Sequence, residues 1–135
     1  MPDLLVNIDV DDLARAETFY THAFGLRVGR RFGESGMELL GLGAPIYLLV
    51  KAAGSKAAPA TGDLRRYERH WTPVHIDVVV QDVETAMQRA INAGATLEAP
   101  VSSANWGKLA RMADPFGHGF CLIEFVGRGY DEIAS

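Results

Sequence analysis

The sequence predicts an α+β fold made of two tandem strand–helix–three-strand (βαβββ) modules, and three observations carry that expectation. The first is a repeated phrase: LVNIDVDD at residues 5 to 12 returns as HIDVVVQD at 75 to 82, so Asp12 aligns with Asp82 at an offset of 70. The second is that each phrase runs from an alternating apolar strand into a capping aspartate and a helix of matching phase. The third is that each helix ends at a glycine, Gly25 or Gly94, and is followed by three short apolar runs divided by turn residues.

In the first module, residues 4 to 10 alternate, with Leu4, Val6, Ile8 and Val10 on the expected core face and Leu5, Asn7 and Asp9 on the other. Residues 12 to 24 follow as a helix with Leu13, Ala16, Tyr20, Ala23 and Phe24 on one side. Strands are expected at 26–32, 37–42 and 46–51. Residues 52 to about 71 form a linker, first small and flexible, then rich in arginine (Arg65, Arg66, Arg69), which reads as a solvated, charge-mixed surface that could also close as a lid. The second module spans about 72–126. Its helix places Val83, Ala86, Met87, Ala90 and Ile91 on one face, and its strands are expected at 95–99, 108–113 and 119–126. Residues 127–135 read as a surface tail. The chain is therefore one domain of two modules, module one at about 3–51.

Composition excludes several functions. The net charge of −4 offers no basic field for nucleic acid, and no apolar run approaches the roughly 20 residues that span a bilayer. The first residues, MPDLLVNID, carry an acid where a signal peptide carries basic residues, so a cytoplasmic protein is expected. One cysteine, Cys121, excludes an internal disulfide and reads as a core residue.

The segments VDDLARAETFYTHAFGL, HIDVVVQDVETAMQRAINAGA, WGKLARMADPFGHGF and CLIEF resemble the vicinal oxygen chelate superfamily, which includes glyoxalase I, bleomycin-resistance proteins, fosfomycin-resistance enzymes and extradiol dioxygenases. The resemblance spans about residues 4 to 126. It implies sheets that curl around a concave groove, a homodimer, and metal ligands on the first and last strands of each module. The first-strand ligand position is filled by His75 in module two and by Leu5 in module one. The last-strand position is filled by Glu124 in module two, and by Leu49 or Val50 in module one.

Two of four family positions are thus filled, an incomplete set for Zn, Ni, Mn or Fe. Alternation read with Cys121, Ile123 and Phe125 toward the helices leaves Phe120, Leu122 and Glu124 toward the groove, with His75 and Asp77 sharing their own face. Asn7, Asp9 and Asp77 are the supplementary polar groups expected there. Trp71 and Trp106 are the aromatic groups expected to border a ligand. His22, His70 and His118 read as solvent or turn residues.

Three roles remain open for His75 and Glu124: metal ligands, a hydrogen-bonded pair across the groove, or, for Glu124, a metal-free general base. The resemblance accordingly implies a small organic ligand or substrate, handled by a metal-assisted lyase or dioxygenase, or alternatively sequestered by a metal-free antibiotic-binding type of protein.

Overall fold

A computed structural model describes residues 1–135. The chain divides into two compact units, Met1–Glu68 and Arg69–Ser135. Each holds one βαβββ module, and the linker belongs mostly to the first. No helix is long and apolar enough to cross a membrane.

The first unit contains β1 (Val6–Val10), α1 (Leu13–Phe24), β2 (Arg27–Arg31), β3 (Gly36–Leu40) and β4 (Ile46–Val50), in the sheet order β1-β4-β3-β2. Strand β1 runs parallel to β4, and the other neighbours are antiparallel. Ile8, Val10, Met37, Leu39, Ile46 and Leu48 are buried, as are Ala16, Phe19, Tyr20 and Ala23 of α1. These two apolar faces form the unit's core, and their burial supplies most of its stability.

The second unit repeats the scheme with β5 (Ile76–Val79), α2 (Val83–Ala93), β6 (Thr96–Leu97), β7 (Ser102–Ala104), β8 (Gly107–Ala113) and β9 (Gly119–Phe125). Its order is β5-β9-β8-β6, with β7 also paired to β8. Both helices start in the same way: Asp12 and Asp82 have φ/ψ of −141°/104° and −140°/106°, and each carboxylate accepts a hydrogen bond from the backbone N–H three residues on. Those bonds satisfy one of the free N–H groups of each first turn. Gly25, at φ 66°, ends α1 in the left-handed region.

Four expectations need correction. Leu4, expected on the core face, precedes β1 and is 65% exposed. The strand expected at 95–99 is only two residues long, because Pro100 cannot donate to a ladder, and pairing resumes in the polar β7. Ile91 is at the solvent edge of α2, 36% exposed. The tail contains a 3-10 turn, Gly129–Glu132, whose Tyr130 ring packs on Trp106 at 5.0 Å and on Phe125 at 4.8 Å.

The linker is ordered by Arg65. Its guanidinium donates to Asp9 at 2.8 Å, to Ser55 Oγ at 3.2 Å and to the carbonyls of Lys56 and Ala57. Asp9, expected to meet a ligand, holds the linker to β1 through this contact.

Candidate functional site on the second sheet

Strand pairing decides which side chains share a face. Asp77 lies beside Cys121 in the β5–β9 ladder, and Cys121 beside Arg111 in the β9–β8 ladder. Side chains directly opposite in a ladder project from the same side, so Asp77, Cys121 and Arg111 form one row. His75, two residues before Asp77, joins them: its Nε2 is 3.1 Å from Asp77 Oδ1, and donor atoms of His75, Asp77 and Cys121 all lie within 4.8 Å of one another.

Glu124 is three residues from Cys121 and projects from the opposite face, with Phe120 and Leu122. Its Oε1 accepts a hydrogen bond from Val83 N at 2.8 Å, placing a carboxylate at the positive end of α2, and Lys108 Nζ stands 4.0 Å from its other oxygen. A hydrogen-bonded His75–Glu124 pair, one of the three roles left open, is therefore not formed, and the inward direction expected for Glu124 is reversed. Cys121, expected to face the helix, occupies the place beside His75 instead. Asp77 is where it was expected.

Cys121 is buried, and its thiol is pushed up to about 11, first by burial and then by the neighbouring Asp77 carboxylate, to which it is hydrogen-bonded; Arg111 acts in the opposite direction. The thiol is thus protonated at neutral pH. A lone nucleophilic role is disfavoured, because the thiolate is the reactive form.

Around the row lies a small open cleft of about 90 Å³, lined by Arg69, Trp71, Thr72, His75, Arg111 and Cys121 among others. Arg69 is fixed there: its guanidinium donates to both Glu98 oxygens, at 2.7 and 3.1 Å, and to the His70 carbonyl. It lies over Gly119, where any Cβ would collide with it. Arg111, by contrast, is exposed and forms no ion pair. Trp71 is 78% exposed. Trp106 is not in the cleft; it belongs to the cluster with Phe125 and Tyr130.

The corresponding row of the first unit is Asn7, Tyr47 and Glu38. Asn7 matches Asp77, and Tyr47 matches Cys121. Arg30 donates to both Glu38 oxygens, at 3.2 and 2.8 Å, and to the Tyr47 hydroxyl at 2.6 Å, while that hydroxyl also donates to Glu38 at 2.6 Å. The Arg30 and Tyr47 hydrogen bonds hold the Glu38 carboxyl down at about 2. Its folded value is below its unfolded one, so the network's contribution is complete above about pH 4.5 and is lost as pH falls toward 2. Urea unfolding between pH 6 and pH 2.5 should show a steeper loss of stability in the wild type than in Glu38→Gln; parallel curves would contradict this.

The two sheets, each with its helix, define an α+β protein of duplicated βαβββ type. The chain belongs to the glyoxalase-like domain family, whose model matches residues 5–123. An uncharacterised protein of Mycobacterium bovis is 34% identical over 144 residues, covering 99% of this chain and 91% of the relative. The anthracycline biosynthesis protein DnrV of Streptomyces peucetius is 26% identical, over 96% of this chain and 43% of its own length. The fosfomycin resistance protein FosX of Listeria monocytogenes shares the fold, with a TM-score of 0.73 over 98% of both chains at 18% identity.

A divalent metal is common in this family, and the donors on the second sheet can be tested against one. An imidazole, a carboxylate and a thiol within 4.8 Å suit a borderline ion such as zinc, provided the thiol ionises on binding. Glu124, engaged with α2, is not part of that set. In the first unit, Leu5 offers no donor, and the Tyr47 hydroxyl is engaged by Glu38 and Arg30.

Proposed function

We propose that this protein binds a small organic molecule in the second-unit cleft without requiring a metal. The observation that carries the reading is the contrast between spent and unspent groups. Asp77 bonds both His75 and Cys121 and Arg69 is tied to Glu98, whereas the Arg111 guanidinium and the Trp71 indole remain available to a ligand. An exposed indole and an unpaired guanidinium lining one cleft are a recognition surface rather than a proton-transfer centre. The likeness to DnrV and FosX supports small organic molecules as the ligand class. Exposed Leu5 and Val79, on or beside the edge strands β1 and β5, support assembly as a homodimer.

The test is a thermal-shift screen of small organic compounds on the wild type and on Trp71→Ala. Compounds that stabilise the wild type and lose that effect in the variant are expected. A screen in which every stabilising compound acts equally on both contradicts the reading.

A second reading rests on the three clustered donors: His75, Asp77 and Cys121 hold a divalent ion, which when bound would polarise an oxygen of the substrate as a Lewis acid. In that case the Arg111 and Trp71 side chains orient the substrate beside it. Elemental mass spectrometry of protein purified without chelator separates the two. Near-stoichiometric metal that disappears in His75→Ala would replace the first reading with the second.

A further inference from the structure

Resting on that binding reading, we infer that the cleft selects a flat monoanion, an aromatic or conjugated carboxylate, with Arg111 as the carboxylate anchor and Trp71 as the stacking surface. The two arginines of the cleft have different roles. Arg69 has its donors committed to Glu98 and the His70 carbonyl, so it forms a rigid wall whose charge is already neutralised. Arg111 projects from the centre of β8, beside Cys121 in the ladder, with no acidic partner. A guanidinium presents two parallel N–H donors matched to the two oxygens of a carboxylate.

The charge balance sets the order of the anion. Arg69 and Glu98 cancel. Asp77 lies on the other side of Cys121 from Arg111, so a negative charge surrounds the row as well as a positive one. A monoanion meeting Arg111 is accommodated, while a dianion such as a phosphate monoester meets the repulsion of Asp77 with a single guanidinium in compensation. The shape follows from Trp71, an exposed aromatic ring lining a cleft too open to enclose a bulky ligand. A planar π-system gains area against an indole at little conformational cost.

The experiment is isothermal titration calorimetry of the full-length protein with benzoate, cinnamate and 2-naphthoate, each compared with its carboxamide, and with 2-naphthyl phosphate. Binding of the carboxylates is expected, strengthening with ring size, and weakening about tenfold or more in the amides and in Arg111→Gln. Arg111→Lys keeps the charge but not the fork and should recover only part of the loss. Amides that bind as well as the acids, or an Arg111→Gln variant with unchanged affinity, overturn the anion inference and leave the binding reading intact. The phosphate ester binding as tightly as 2-naphthoate overturns the monoanion inference. Absence of binding by acids and amides alike overturns the flat-carboxylate inference, while the binding reading stands or falls with the thermal-shift screen. Far-ultraviolet circular dichroism of Arg111→Gln separates a lost anchor from a lost fold.

Discussion

Glu124→Ala is expected to destabilise the second unit while leaving ligand binding in place. The carboxylate is 18% exposed and bonds the first N–H of α2. A hydrogen bond to a charged group contributes roughly 1.5 kcal/mol or more, and a negative charge at a helix start about 0.5 kcal/mol, so the loss should be about 2 kcal/mol. For a chain of this length that lowers the melting temperature by about 8 °C. Glu124→Gln retains an acceptor oxygen and should lose about half as much. Chemical denaturation and calorimetric binding measured on the same samples provide the check. If Glu124→Ala abolished ligand or metal binding at undiminished stability, the carboxylate would be a site residue and the assignment of faces would be wrong.

Gly107→Ala should be of similar size for a different reason. A Cβ at this position would stand 2.6 Å from the Glu124 carbonyl oxygen and 3.4 Å from Phe125 Cα, both backbone atoms of the paired strand that cannot rotate away. Gly36 is in the same position in the first module: it is opposite Leu49 as Gly107 is opposite Phe125, and a Cβ there would be 2.5 Å from the Leu48 carbonyl oxygen. Forcing an atom into such a contact costs about 1–3 kcal/mol through displacement of the ladder. Gly62→Ala is the control, since nothing lies within 4 Å of its added methyl group, and removing a glycine there restricts only the unfolded chain. Urea unfolding should rank Gly62→Ala at or above wild type and both strand variants well below it. Equal stability of Gly107→Ala and wild type would contradict the tight pairing of β8 with β9.

The duplicated module was legible because its signals are local. The capping aspartates, the helix-ending glycines and the alternation of β1 each act within a few residues, and each reappears in the structure at the expected place. The face of β9 was not legible, because Cys121-Leu122-Ile123-Glu124 is apolar on both sides and alternation cannot choose between them. Both Leu122 and Ile123 are buried. A signal was nevertheless present: an acid in phase with the core row Phe120 and Leu122 needs a donor on the helix side, and the start of α2 supplies one. Arg111 was missed because a single arginine in KLARMA resembles any edge charge until the ladder places it beside Cys121. Strand β7 was missed because SSA carries no apolar periodicity, and Arg65 because its partner Asp9 is 56 residues away.

On the binding reading, the ligand surface of the second unit is the Asp77–Cys121–Arg111 face, and Glu124 belongs to the helix on the other side. This arrangement is tested most directly by mapping backbone amide shifts in a heteronuclear NMR titration with 2-naphthoate. The largest perturbations are expected at Trp71, Asp77, Arg111, Gly119 and Cys121, with Val83 and Ala86 of α2 undisturbed. Perturbations centred on Val83, Lys108 and Glu124, or on Asn7 and Tyr47 of the first unit, would contradict it.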